Sequence, residues 1–430
     1  MKKTLALLLV TLMLVTLAAC GPATQTTANN GTTANSTTTT TAAVNTTITY
    51  VTLGGTGMAT LEQAAKDFKA ETGITVVLED WAYSDAYQKI LTMADAGNMP
   101  DSMYGFSSWT EQFKIAGYTV ALDDLISKEL YNDFSEAARG VCTVDGKLWA
   151  LPSYMSVRTS LFNETAFTNA GVAIPTTWEE FLAAAPKLTD ASKAKYAYSL
   201  VAGHAKNTLD CFLPFLWAYD AEVLNADRTK SAFNTPEGVA ALQMYVDVAK
   251  YSVPDYGEAT INNTQSNFTS QVAASYFHNA QGIAALKDAG SDFSWVKITP
   301  PLAGPKGTRV SLGVMDVDLV FKTGNEAATA KWLEFWHNKD REGLVIEQAG
   351  WVPNQTSFYE RASFNDASNI MVAPFTALEP IAKFKPSISS WEELQKIMAD
   401  AITKAVMGDL TAAEAFEIAG KQADELLAKQ

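Results

Sequence analysis

Residues 48–80, ITYVTLGGTGMATLEQAAKDFKAETGITVVLED, limit the possible folds more than any other stretch of the chain. Ile48 to Leu53 is rich in strand-forming residues, and a Gly54-Gly55-Thr56-Gly57 loop follows it. Met58, Leu61, Ala65 and Phe68 then recur at spacings of three and four, which gathers them on one face of a helix. Gly73 ends that helix, and Ile74 to Leu78 reads as a second strand. Strand, crossover helix and strand together predict a parallel sheet covered on both faces. Open α/β sheets hold ligands at the carboxyl ends of their strands, which makes Gly55 and Thr56 candidate contacts. The loop lacks the third glycine of a dinucleotide fingerprint and the Gly-Lys-Thr/Ser of a P-loop, so neither nucleotide chemistry is predicted.

What precedes this unit is of another kind. Lys2 and Lys3 open the chain, Thr4 to Leu17 form a short apolar core, and small residues lead to Cys20. That is the layout of a secretory signal, too short to span a bilayer comfortably. Leu17-Ala18-Ala19-Cys20 also resembles the lipobox of bacterial lipoproteins, which implies cleavage before Cys20 and a lipidated thiol. Several acyl chains on one residue hold a chain on a membrane where a single chain binds only marginally. Residues 22–47 contain twelve threonines and little apolar surface, so this segment reads as a disordered tether. The expected organisation is a signal peptide over 1–19 and a lipidated cysteine with its tether over 20–47.

About 385 residues remain, enough for two lobes. The chain is acidic, with a net charge of −15, and shows no basic stripe, so nucleic acid is not an expected partner. Cys142 and Cys211 are the other cysteines; spacing leaves open whether they pair or stay separate buried thiols. The histidines at 204, 278 and 337 lack metal-ligand spacing, and neither a metal nor another cofactor is expected.

Further along, Ser108…Glu111, Thr177…Glu180, Ser390…Glu393 and Thr411…Glu414 have the form of capping boxes at helix starts. GVMDVDLVF, residues 313–321, reads as a buried strand followed by a helix bearing Ala328, Trp332 and Phe335. The C-terminal region reads as helical.

Four stretches carry a likeness to a known family. They are TLEQAAKDFKAETGITV, DGKLWALPSYMSVRTSLFNETAF, AATAKWLEFWHNKDREGLVIEQAGWVPNQTSF and WEELQKIMADAITKAVMGDLTAAEAFEIAGKQADELL. In this order they resemble the extracellular solute-binding proteins of ABC importers, in the sugar-binding family that includes the maltose-binding protein. The resemblance implies an α/β, two-lobe periplasmic-binding-protein-like fold (type II), with a hinge of crossover strands and the ligand cleft between the lobes. It implies crossovers near Leu151 to Ser156 and near Arg309 to Gly313. One lobe would then be 48–151 plus 314–350, the other 156–308 plus 351–430. It further implies a monomer that binds a sugar or related polyhydroxylated molecule without turnover. Such a receptor hands its solute to permease subunits, and it works outside the cytoplasm on a lipid anchor in the cell membrane.

A sugar presents flat C–H faces to aromatic rings and a rim of hydroxyls to polar side chains. Aromatics in loops or near the crossovers are therefore candidates: Trp81 after the second strand, Trp109 beside Ser108, Tyr154 at the crossover and Trp351 in AGWVPN. Candidate polar partners are Ser108, Arg158, Asp210, His278, Asn279 and Asp316. Trp149, Trp178, Trp332 and Trp336 sit in strand or helix patterns and read as core. One departure from the family pattern stands out: VAASYFHNAQGIAAL places Gln281 where relatives carry a stacking tryptophan. A lipid-anchored glycosidase is the alternative, since two opposed carboxylates suffice for that chemistry. No Gly-x-Ser-x-Gly or His-Glu-x-x-His motif supports an enzyme. An adhesion lipoprotein would need stalk-like repeats, and only the tether suits one.

Overall fold

A computed structural model describes residues 46–429, apart from Thr56, Ser84 and His204. The expected signal peptide, Cys20, nearly all of the tether and the candidate Thr56 lie outside the described residues. Twelve strands are formed: β1 Thr47–Leu53, β2 Thr75–Trp81, β3 Ser102–Phe106, β4 Thr143–Val144, β5 Lys147–Leu148, β6 Leu151–Val157, β7 Thr159–Asn163, β8 Ser275–His278, β9 Val296–Thr299, β10 Ser311–Val320, β11 Val352–Pro353 and β12 Ala382–Lys383. The large sheet runs β11-β6-β10-β3-β1-β2, with β12 paired to β10; β8-β7-β9 is a second sheet, and β4-β5 a hairpin.

The predicted strand–helix–strand unit forms as β1, helix Met58–Thr72 and β2, and β1 pairs in parallel with both β2 and β3. Leu61, Ala65 and Phe68 are buried as their spacing requires, and Phe68 meets the edge of Trp332 with ring centres 5.5 Å apart. Gly73 closes the helix with φ +78°. The sequence pattern predicts a parallel sheet, but the sheet is mixed. The 313–321 strand is β10, and it lies antiparallel to both β3 and β6 because the chain re-enters this sheet from the other side of the molecule. Of the four capping boxes, Thr411 and Glu414 make both reciprocal bonds, and Thr177 Oγ1 accepts from the Glu180 amide. Helix Ser107–Ile115 starts one residue ahead of Ser108 with Phe106 at its cap, and Ser390 makes no cap bond. No described helix is long and apolar enough to cross a membrane.

The apolar residues divide between two cores. The first gathers Val51, Phe68, Met103, Leu319 and Trp332; the second gathers Trp178, Phe181, Phe212, Tyr245, Trp391 and Phe416. Each such side chain contributes roughly 1.5–3 kcal/mol by leaving water, so either core is a substantial folding unit. Trp178, Trp332 and Trp336 are core residues as predicted, whereas Trp149 is half-buried. Cys142 and Cys211 are buried and unpaired, one in each core. β10 joins the cores: Val317 belongs to the first, Leu312 to the second, and Val314 packs against both, while β6 lies in the first with Tyr154. Trp351, Phe358, Phe364 and Phe375 pack into the first core, while Ile388 onward packs into the second. β11 pairs with β6, which holds the segment after Trp351 on the large sheet.

Candidate functional site

β10 runs through the middle of the large sheet, with Asp316 opposite Phe106 of β3. On the β6 side the register slips between Met315 and Val317, which pair with Met155 and Pro152. Ser153 and Tyr154 thus face the single residue Asp316, a bulge of the kind that re-aims side chains beside functional sites. Asp316 is buried and accepts a hydrogen bond from Tyr104. The Tyr154 hydroxyl donates in turn to that of Tyr104. Trp351 lies flat on Tyr154, with ring centres 3.8 Å apart and planes 5° from parallel, a stack worth roughly 0.5–1.5 kcal/mol beyond its buried area.

The second core sends cations toward this patch. Where β6 ends, the Arg158 amide donates to the Leu312 carbonyl, fixing the residue between the two sheets. Its Nη2 lies 3.3 Å from Asp210 Oδ2. Helix Ala205–Ala218 carries Asp210 and, one turn earlier, Lys206, so both project the same way. Lys385 pairs with the other Asp210 oxygen. Lys206 Nζ sits 3.5 Å above the Phe106 ring, linking the second core's cluster to the first core's sheet. Asn279 donates to Ser156 Oγ at 2.8 Å, and His278 is buried beside it.

Burial pushes the Asp316 carboxyl up to about 7, only partly offset by Lys206, the Tyr104 hydrogen bond and Arg158. Burial also acts on Asp210, but Lys385, Arg158 and Lys206 together hold it below the ordinary carboxylate value. Lys206 is lowered to about 8 by burial and by Lys385. Burial and then Arg158 lower His278 to about 3, so its ring is neutral. Several polar atoms here have no hydrogen-bond partner among the described residues: Arg158 Nε and Nη1, His278 Nδ1 and Asp316 Oδ1. Each unmatched buried group costs roughly 1–3 kcal/mol, so a molecule that supplied the missing donors and acceptors would be stabilised here. A groove of about 780 Å³ reaches this cluster at Lys385 and is lined also by Trp217, Lys383, Glu111 and Asp145.

Tyr154, Arg158, Asp210, His278, Asn279, Asp316 and Trp351 thus fall around one patch. The other predicted residues stand elsewhere. Trp81 is buried in the first core with Lys89 Nζ 3.7 Å over its ring and its indole nitrogen bonded to Glu79. The Gly55 amide donates to Asp80 in an exposed turn. That turn needs glycine: a Cβ on Gly54 would fall 2.3 Å from the Tyr83 ring, and φ there is +69°. Ser108 is half-buried in the first turn of its helix. Trp109 packs edge-on against Phe106 and donates to Glu392 at 3.2 Å, a bond from the first core to a helix of the second. Sequence reading missed Tyr104, Lys206 and Lys385. The four-residue spacing from Lys206 to Asp210 was a usable signal; nothing local marks the other two.

It also missed a second charged cluster. Asp318, His337 and Glu342 are the one set of metal-ligand-type side chains found converging among the described residues. His337 Nε2 lies 3.1 Å from Asp318, and Nδ1 2.7 Å from Glu342. Burial opposes its charge, yet Glu342 and Asp318 raise its pKa to about 10. The Tyr50 hydroxyl donates to Asp318 at 2.7 Å, and Ser153 donates to Glu342. An imidazolium so placed occupies the position a cation would take between the two carboxylates.

Comparison with known proteins follows the same lines. The family described as bacterial extracellular solute-binding protein matches residues 54–340. A binding protein of Brucella abortus is 27% identical over 378 residues, spanning 86% of this chain and 90% of the relative. The diacetylchitobiose-binding protein DasA of Streptomyces coelicolor is 23% identical over 317 residues, 71% of this chain and 72% of its own. Among solved structures, an ABC transporter solute-binding protein of Thermotoga lettingae bound to α-D-tagatose superposes with a TM-score of 0.79 at 22% identity, covering 89% of this chain and all of the other. At that identity the likeness establishes the two-lobe α/β fold.

Proposed function

Because this chain belongs to the bacterial extracellular solute-binding proteins, we propose that it captures a carbohydrate at the patch around Arg158 and Asp316 and delivers it to an importer's permease. The observation that carries this reading is the group of buried polar atoms without partners at the β6–β10 crossing. Asp316, Arg158, Asp210, His278 and Asn279 supply donors and acceptors for hydroxyls, while Tyr154 and Trp351 supply a flat apolar wall. In this reading the lobes are built on the two cores. β6 and β10 form the hinge, and the final crossing lies at 378–388. Contacts made only when the lobes meet, such as Trp109 to Glu392, favour the closed form once solute bridges them.

The family works outside the cytoplasm. The Leu-Ala-Ala-Cys boundary supports a lipid anchor at Cys20, with the threonine-rich segment as tether. Cys20→Ala is expected to move the protein from the membrane fraction to the soluble one; retention on the membrane would end the anchor proposal.

Asp210 and Asp316, held ionised and near-neutral respectively, have the look of a glycosidase's paired carboxylates. Both Asp210 oxygens are engaged by Arg158 and Lys385, however, which favours a receptor over a hydrolase. Incubation with a panel of sugars separates the two readings. Saturable binding without loss of sugar supports the receptor, and depletion of sugar overturns it.

A further inference from the structure

We infer that the solute held in this cleft carries an anionic group, as a sugar acid or sugar phosphate does, and that Arg158 and Lys206 receive it; the inference rests on the solute-binding reading above. The argument is a count of buried charges. Arg158, Lys206 and Lys385 all lie close enough to Asp210 and Asp316 to shift both carboxyls. Asp210 is already divided between Arg158 and Lys385, one oxygen to each. Asp316, pushed up to about 7 by burial, offers only part of a negative charge at neutral pH. The next acid, Glu392, accepts from the neutral Trp109 and Gln395 and keeps its charge, but it acts on Lys206 more weakly than Asp210 and Asp316 do and makes no ion pair among the described residues. Of the three cations, Arg158 and Lys385 share Asp210, and Lys206 has no carboxylate within ion-pair distance among the described residues; burial and then Lys385 lower it to about 8.

The unmatched atoms point the same way. Arg158 keeps two N–H groups without acceptors, at Nε and Nη1. A carboxylate or phosphate accepts hydrogen bonds and donates none, so it matches both the count and the charge. A neutral sugar could fill the same contacts but would leave a buried cation uncompensated, which is costly. The sugar's hydroxyls would then face His278 Nδ1 and Asp316 Oδ1, which have neither a hydrogen bond nor an ion pair among the described residues.

The test uses the full chain and a matched panel: D-glucose, D-galactose and D-mannose, each as the neutral sugar, the uronate and the 6-phosphate. Affinity is read by titration calorimetry at low and moderate salt. At least one acidic form is expected to bind about tenfold or more tighter than its neutral parent, a factor that charge-assisted contacts readily supply. Arg158→Met is expected to erase that preference; Lys206→Met repeats the test if the first variant fails to fold. Whether uronate or phosphate binds tighter identifies the anion, and either supports the inference. A neutral sugar binding as tightly as its acidic forms overturns the inference and leaves the carbohydrate reading standing. If no member of the panel binds, both fall.

Discussion

Asp316 and Asp318 are two residues apart on β10 and face the same side of the sheet, yet they enter opposite kinds of charged cluster. Asp318 joins His337 and Glu342, where each ring nitrogen meets a carboxylate and Tyr50 and Ser153 donate to the outer oxygens. Asp316 joins Arg158, Lys206, Asp210 and His278, where Arg158 Nε and Nη1, His278 Nδ1 and Asp316 Oδ1 have neither a hydrogen bond nor an ion pair among the described residues; Asp318 Oδ2, Glu342 Oε2 and both His337 nitrogens also lack hydrogen-bond geometry, but each lies within ion-pair distance of its partner. Both clusters are buried, so burial alone does not tell a structural site from a binding site. Completeness does. The triad already contains its counter-ion and serves the fold; the patch lacks one, as the proposed solute site would.

The largest effect should come from breaking the complete cluster. His337→Ala leaves two carboxylates facing each other in the core, and loss of one partner from a buried ion pair costs about 3–5 kcal/mol. Thermal unfolding is expected to show a large fall in melting temperature, with solute affinity kept wherever the variant folds. The same group sets a pH dependence. Its folded pKa, about 10, lies above the 6.5 of a free imidazole, so its stabilisation is complete below about pH 6.5 and is lost as pH rises toward 10. Melting temperature should therefore decline over that window in the wild type. His337→Gln should flatten the decline, and an unchanged slope would mean that the imidazolium is not there.

The incomplete cluster should answer in the other currency. Arg158→Met removes a guanidinium with two unmatched N–H groups and is expected to cost about 1.5–3 kcal/mol in solute binding, with a smaller fall in melting temperature than His337→Ala because Lys385 still pairs with Asp210. Trp351→Ala removes the ring stacked on Tyr154 and should weaken binding less than Arg158→Met does, with a fall in melting temperature as well because the ring packs into the first core. Trp81→Ala, which empties a site in the first core, should lower stability and leave affinity alone. Equal binding losses from Trp351→Ala and Trp81→Ala would blur the comparison.

Much of the fold was legible because its signals are local. Apolar periodicity placed helix Met58–Thr72, and capping boxes placed the helices after Thr177 and Thr411. The direction of β10 was not legible, since it depends on where the chain has been since β3. In the site, Tyr154, Arg158, Asp210, Asp316 and Trp351 followed from family likeness, which orders the loops around a cleft. Lys385 was invisible because its partner lies 175 residues earlier, at Asp210. His337 was set aside for want of metal-ligand spacing, but its partners come from β10 and helix Glu342–Ala349, which only the folded chain brings together. Trp81 and Trp109 were chosen for their loops, and burial put one under a lysine and the other against a helix of the second core.

The most direct test of the contrast uses the two neighbouring aspartates themselves. Asp316→Asn and Asp318→Asn are near-isosteric changes on one strand, to be measured side by side for melting temperature and for affinity toward the preferred solute. The account predicts that Asp316→Asn alters affinity while melting stays near wild type, and that Asp318→Asn lowers melting while affinity holds. If both variants lose stability alike, or Asp318→Asn proves to be the one that changes binding, the division between a complete structural cluster and an incomplete binding cluster is contradicted.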